Sequence, residues 1–174
     1  MGTVFLAGVY GVGKSTLANR LTAKTSIKNY SAGDLISNAT GETYGANKVV
    51  SDKNKNQDIL ADAVSSILKT EQTILLAGHF CILGKDGNVD ALPENAFDKL
   101  NIEKIILLET DVNTITSHLY KRDHKDYSSN LIEEFLLTER ELANKISQSL
   151  SVPFITHTMT YNNSDIEILV SELQ

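Results

Sequence analysis

The chain has 174 residues, and 16 lysines and arginines against 22 aspartates and glutamates give a formal net charge of −6. Hydrophobic residues make up 41% and charged residues 22%, a balance that excludes a disordered chain, a collagen and a disulfide scaffold. No apolar run approaches the ~20 residues of a membrane span. The opening MGTVFLAG has no basic start and is not expected to be a signal peptide. The sequence pI near 5.2 offers no broad cationic face to a nucleic acid. One domain over 1–174 is expected at this length. The single cysteine, Cys81, cannot close an internal disulfide, so a reducing cytoplasm is the expected compartment.

Short apolar runs alternate with longer helical stretches along the chain. Strands are predicted at Thr3–Ala7, Ile27–Ser31, Thr73–Ala77, Lys104–Leu108 and Pro153–Thr156. Most are continuously apolar, as strands covered on both faces are. Helices are predicted near 14–25, 34–40, 55–70, 112–123, 130–150 and 164–173. The alternation predicts an α/β fold with a parallel sheet flanked by helices. Asp86-Gly87, between FCIL and NVDAL, predicts a small hairpin turn. Asn130 with Glu133 suggests an N-cap and its reciprocal partner. The helix that follows is expected to bury a stripe drawn from Leu131, Ile132, Phe135, Leu136, Leu142, Ile146 and Leu150 and to expose Glu133, Glu139 and Lys145. Ser164 and Asp165 are the expected caps of the last helix.

Residues 8–15 read Gly8-Val9-Tyr10-Gly11-Val12-Gly13-Lys14-Ser15 and fit G-x-x-x-x-G-K-[ST], with strand-like VFLA before and helical STLANRL after. The glycines let the backbone double back and bring its N–H groups close to phosphates. A helix N-terminus, here including Thr16, adds partial positive charge. Lys14 can reach the β and γ phosphates, and Ser15 offers a hydroxyl to Mg²⁺. Gly8, Gly11, Val12, Gly13, Lys14, Ser15 and Thr16 are therefore the expected ATP contacts.

SAGDLI, Ser31 to Ile36, resembles the GD turn of adenylate kinases and related small P-loop kinases. ILLAGHFCIL (74–83), IILLETD with LYKRDHKD (105–126), and ERELANKISQSLSVPFI (139–155) resemble, in order, later elements of the archaeal-type adenylate kinases. The resemblance implies a three-layer P-loop fold with a five-stranded parallel sheet in the order 2-3-1-4-5. It also implies nucleotide at the carboxyl ends of the strands and a short lid at about 120–129. Two positions depart from that pattern. Ser37 stands where an arginine usually grips the acceptor phosphate, and Ala77 where an aspartate usually orients Mg²⁺. The chain has only three arginines, Arg20, Arg122 and Arg140, so a bidentate clamp on an acceptor phosphate is hard to assemble. Lys48, Lys53 and Lys55 could serve there as point charges.

Asp34 is expected to hold Mg²⁺ through water or to accept a proton from the acceptor, and it could also cap a helix over 35–40. His79, just past the third strand, is a candidate acceptor or γ-phosphate contact, with a structural histidine as the alternative. Arg122 in the lid is a candidate stabiliser of the transferred phosphoryl group, and otherwise a helix-end cation paired with Asp123 or Asp126. Arg140 could touch phosphate or form a surface ion pair. Tyr10 is expected to pack or to cover the nucleotide, and Cys81 to be a small buried hydrophobe.

These residues predict a kinase that transfers the γ-phosphate of Mg·ATP to a small acceptor. By resemblance that acceptor is a nucleoside monophosphate, and next a nucleoside or other metabolite. Alternatives are a regulatory P-loop ATPase working with a protein partner, or a 5′-end kinase of nucleic acid, which the acidic balance disfavours.

Overall fold

The structure is a computed structural model and describes residues 2–41, 53–84 and 86–173. Strands β1 (Gly2–Ala7), β2 (Lys28–Ser31), β3 (Thr73–Ala77), β6 (Ile102–Glu109) and β7 (Phe154–Thr158) form one parallel sheet in the order β2-β3-β1-β6-β7. Counted along the chain without the hairpin below, this is the predicted order 2-3-1-4-5. Every residue of β1 is buried, because β1 is central and has helices on both faces.

Strands β4 (Cys81–Leu83) and β5 (Val89–Ala91) pair antiparallel as a separate hairpin. Its turn contains Asp86 and Gly87, as predicted. Gly87 sits at φ 80°, and the Asp86 carboxylate accepts from the Asn88 N–H at 3.1 Å. The short helix α4 (Asn95–Asp98) follows.

The remaining helices are α1 (Lys14–Thr22), α2 (Ala32–Thr40), α3 (Lys53–Ile67), α5 (Val112–Asp123), α6 (Ser129–Leu150) and α7 (Asn163–Leu173). Several ends differ from the sequence reading. Helix α2 starts at Ala32, capped by the Ser31 hydroxyl, which accepts from Asp34 N–H at 3.3 Å; Asp34 is therefore not the cap but lies in the first turn. Ser128, not Asn130, caps α6 by accepting from Leu131 N–H. Asn162 Oδ1 accepts from the Ser164 N–H and hydroxyl. Asp165 instead lies buried, taking bonds from His157, the Thr160 N–H and the Thr160 hydroxyl. Within the segment 120–129 expected to form a lid, α5 runs to Asp123 and α6 begins at Ser129, so only 124–128 lie outside helices.

Alternation along the strands builds a core on each side of the sheet. Val4, Leu6, Leu75, Ile106 and Leu108 pack on one side with α1, α5 and α7. Phe5, Leu76, Ile105 and Leu107 pack on the other with α3 and α4. Helix α6 joins both: Ile132 and Phe135 belong to the first core, Ala143 and Ile146 to the second. Glu139 falls between these pairs and is 1% exposed, which corrects its expected place on the solvent face. Glu133 and Lys145 are exposed as expected.

Candidate active site

The turn from β1 into α1 follows from its glycines. Gly8 holds φ 145°, and a Cβ there would stand 2.8 Å from the Leu108 carbonyl oxygen. Gly13, at φ 103°, caps α1 without a side-chain bond. The loop's outer backbone is held from behind. His118 Nδ1–H donates to Gly11 O at 2.8 Å, and the Tyr161 hydroxyl donates to Val12 O at 3.3 Å. The His118 and Tyr161 rings meet edge to face, 5.1 Å apart. Sequence reasoning missed both props, since neither lies in a motif.

Lys14 Nζ folds under the loop and donates to Gly8 O at 2.6 Å and Val9 O at 3.0 Å. With three donors, the ammonium is fixed where the loop turns. Lys14, Ser15 and Thr16, with Gly11 and Gly13, line a cleft of about 380 Å³, within the size range of small-molecule sites. The same cleft is lined by Asp34, His79 and Arg122. Its apolar floor comes from Phe5, Ile36, Leu60, Ala77 and Phe97, and Asn56 and Gln57 add amide groups. Ala77 and Asp34 both line this cleft, at the carboxyl ends of β3 and β2, where such sheets bind ligands.

Gly8 and Val12 do not line the cleft. The Gly8 amide donates to Glu139, and Val12 is wholly buried. Tyr10 packs edge to face on His79 at 4.6 Å and on Phe135 at 5.0 Å, and burial pushes its phenol pKa up. Arg122 makes a two-point ion pair with Asp123, Nε to Oδ1 and Nη2 to Oδ2 both at 2.5 Å. This bond, ahead of the opposing cost of burial, holds the guanidinium above its usual pKa. Arg140 pairs with Glu109 at 2.5 Å and is not among the cleft-lining residues. Lys53 opens α3, but its side chain, like all of Lys48, lies outside the described residues; Lys55 is exposed.

The residue that sequence reasoning missed most completely is Glu139. Its Oε1 accepts from Gly8 N–H and Phe80 N–H, both at 3.1 Å. Its Oε2 accepts from Phe80 N–H and Cys81 N–H, both at 2.9 Å, and from the Cys81 thiol at 3.2 Å. Burial pushes the carboxyl pKa up, opposed by the Lys14 ammonium and these donors. Burial also pushes the Cys81 thiol up, so it acts as a small donor in the core and not as a nucleophile.

Mg²⁺ fits this donor set only as a companion of a triphosphate. Ser15 supplies one hydroxyl and Asp34 one carboxylate in the same cleft. Among the described residues no cluster of three or more His, Cys, Asp or Glu could hold a metal unaided. Mg²⁺ accepts such a sparse protein set when phosphates complete it.

A parallel sheet in this order, a glycine loop feeding a helix with lysine at its start, and a cleft over the strand ends define a small P-loop kinase fold. The chain belongs to the AAA domain family, whose model (AAA_17) matches residues 7–135. Among solved structures it is similar to a shikimate kinase from Bacteroides thetaiotaomicron, with TM-score 0.61 and 16% identity, covering 99% of this chain and 96% of that one. It is also similar to a sugar kinase from Janibacter sp. HTCC2649, with TM-score 0.63 and 16% identity over 99% and 94% of the two chains. A gluconokinase from Sinorhizobium meliloti 1021 follows, with TM-score 0.56 and 12% identity over 99% and 95%. A comparison with curated proteins finds no match. No helix among the described residues is long and apolar enough to cross a membrane.

Proposed function

We propose that the protein is an ATP-dependent phosphotransferase that moves the γ-phosphate of Mg·ATP to a small acceptor held in the cleft. The observation that carries this reading is that one cleft is lined by both halves of the required chemistry. Lys14, Ser15 and Thr16 stand at the phosphate loop, and Asp34, His79 and Arg122 share the same walls. The solved structures of similar fold, named as kinases of shikimate, gluconate and sugars, support a small hydroxylated acceptor. The resemblance to adenylate kinases favours a nucleoside monophosphate.

In this reading the acceptor oxygen attacks the γ-phosphorus in line. The new O–P bond forms as the bond from phosphorus to the β-γ bridging oxygen breaks, and ADP leaves with that electron pair. Asp34 takes the proton when the acceptor is a hydroxyl. Lys14 and the loop amides stabilise charge on the β and γ oxygens, and Arg122 completes the cage from the end of α5. Mg²⁺, held through Ser15 and by way of water Asp34, would offset charge on the same oxygens. His79, edge-on to Tyr10, orients the acceptor. The apolar floor excludes water, so ATP is not spent on hydrolysis.

The test is product analysis. The protein is incubated with Mg·ATP and a panel of nucleoside monophosphates, nucleosides, sugars, shikimate and a short oligonucleotide. Transfer to a small acceptor at ~1–100 s⁻¹ is expected. Release of inorganic phosphate alone, at a rate no acceptor changes, would overturn the reading in favour of an ATPase. Labelling of the oligonucleotide alone would do so in favour of an end kinase.

A further inference from the structure

Glu139 is 1% exposed, yet it lies in no motif and takes no part in the chemistry above. Its surroundings dictate its chemical state. Every group bonded to it is a donor: the amides of Gly8, Phe80 and Cys81, and the Cys81 thiol. A protonated carboxyl would have to donate, and against it stand amides that accept nothing and a Cys81 sulfur that accepts only weakly. The ionised form takes all of them, and charge-assisted bonds of this kind are the stronger class. The Lys14 ammonium, close enough to act on it electrostatically, offsets the buried charge.

The segments it ties together are the ones that must stay in register during transfer. Gly8 begins the phosphate loop. Phe80 and Cys81 follow His79, which lines the cleft. Glu139 itself sits on α6, whose first turn ends the predicted lid. We propose that Glu139 is a positioning residue that locks the phosphate loop to the His79 turn, so that loop, turn and lid helix move as one unit when nucleotide binds. The proposal rests on the phosphoryl-transfer reading for its rate consequence, but not for its structural one.

The test uses Glu139→Gln, which keeps the size and one acceptor oxygen but brings an NH₂ group against N–H donors. Glu133→Gln, on the exposed face of the same helix, is the control. Glu139→Gln is expected to lower kcat by ~10–100-fold, to move the KM for ATP by less than about threefold, and to leave the folded signal intact. Glu139→Asp, which restores the charge on a shorter arm, should recover part of the rate. Folded Glu139→Gln with unchanged kcat overturns the proposal. So does a Glu139→Asp variant no faster than Glu139→Gln. A second measurement covers the case in which the variants do not fold and needs no turnover. Amide hydrogen exchange of the wild-type protein is followed with and without a non-hydrolysable ATP analogue and Mg²⁺. The Gly8, Phe80 and Cys81 amides should slow together. Protection of Gly8 with no change at Phe80 and Cys81 overturns the proposal. Coupled protection in a protein that transfers no phosphate would sink the function reading alone.

Discussion

Arg122 is the side chain on which turnover should depend most steeply after Lys14. Its side chain is 42% exposed, while that of Asp123, whose carboxylate grips it, is only 5% exposed. The Tyr127 hydroxyl also donates to Asp123 Oδ2 at 3.3 Å. The pair is therefore a cation mounted on a fixed anchor at the cleft wall, and not a loose surface ion pair of little consequence. Under the proposed function this cation would act where charge develops on the transferring phosphoryl group. Arg122→Ala is expected to lower kcat by ~10³-fold while the KM for ATP stays within a factor of about three. Steady-state kinetics with the preferred acceptor decides it. Equal losses in binding and turnover would make Arg122 a ground-state contact.

At the scale of elements, the joint between β7 and α7 sets the back of the phosphate loop. The residues 159–162 must turn sharply, and Tyr161 holds φ 60° to do so. Asp165 fixes that turn by accepting from Thr160 N–H at 3.0 Å, the Thr160 hydroxyl at 2.8 Å and His157 Nε2 at 2.9 Å. Burial raises the Asp165 pKa, but these bonds outweigh it and hold the carboxyl below its usual value. A group with a depressed folded pKa adds stability above its unfolded pKa and loses it as pH falls through the folded one. Asp165→Asn should therefore cost about 2 kcal/mol at pH 7, or ~6 °C in Tm. The gap from wild type should close below about pH 4. Thermal melts across pH 3–8 check this. A gap that instead widens in acid would mean that Asp165 is not ionised in the fold.

The same scale shows where the sequence was informative. The five sheet strands and most helices were legible because apolar runs and 3.6-residue spacing are local signals. The caps were read less well. Asn130 and Ser164 have capping chemistry, but neighbours with the same chemistry, Ser128 and Asn162, make the bonds. Glu139 was misplaced for a related reason. It lies four residues from both Phe135 and Ala143, which are buried, so helical periodicity alone puts it on the inner stripe. Reading a carboxylate as solvent-facing overrode that spacing. Its partners, the Gly8, Phe80 and Cys81 amides, are distant in sequence and visible only once the chain has folded.

For the whole molecule, the architecture and the cleft have one cause. A parallel sheet covered on both faces leaves its connections at the strand ends, and the segments that follow β1, β2 and β3 (the start of α1, the first turn of α2 and the turn after β3) gather Lys14, Asp34 and His79 into one cleft. The phosphate loop was fully legible as a motif. The cleft's apolar floor was not, since Phe5, Leu60 and Phe97 read in sequence as ordinary core residues. They are indeed core, and the cleft is the place where the core opens.

The account stands or falls on the loop from Gly8 to Ser15 holding a polyphosphate beside the Lys14 ammonium. Titration calorimetry of Mg·ATP into wild-type protein and into Lys14→Ala tests it most directly. Lys14 bonds the Gly8 and Val9 carbonyls and offsets the buried Glu139 charge, so the variant should melt several degrees below wild type yet stay folded at the titration temperature, which a thermal melt checks. Heat of binding is expected for the wild type, with affinity at least ~100-fold weaker in the variant, a loss of about 2.7 kcal/mol. No heat with the wild type, or a folded Lys14→Ala that binds Mg·ATP as tightly, would contradict the account.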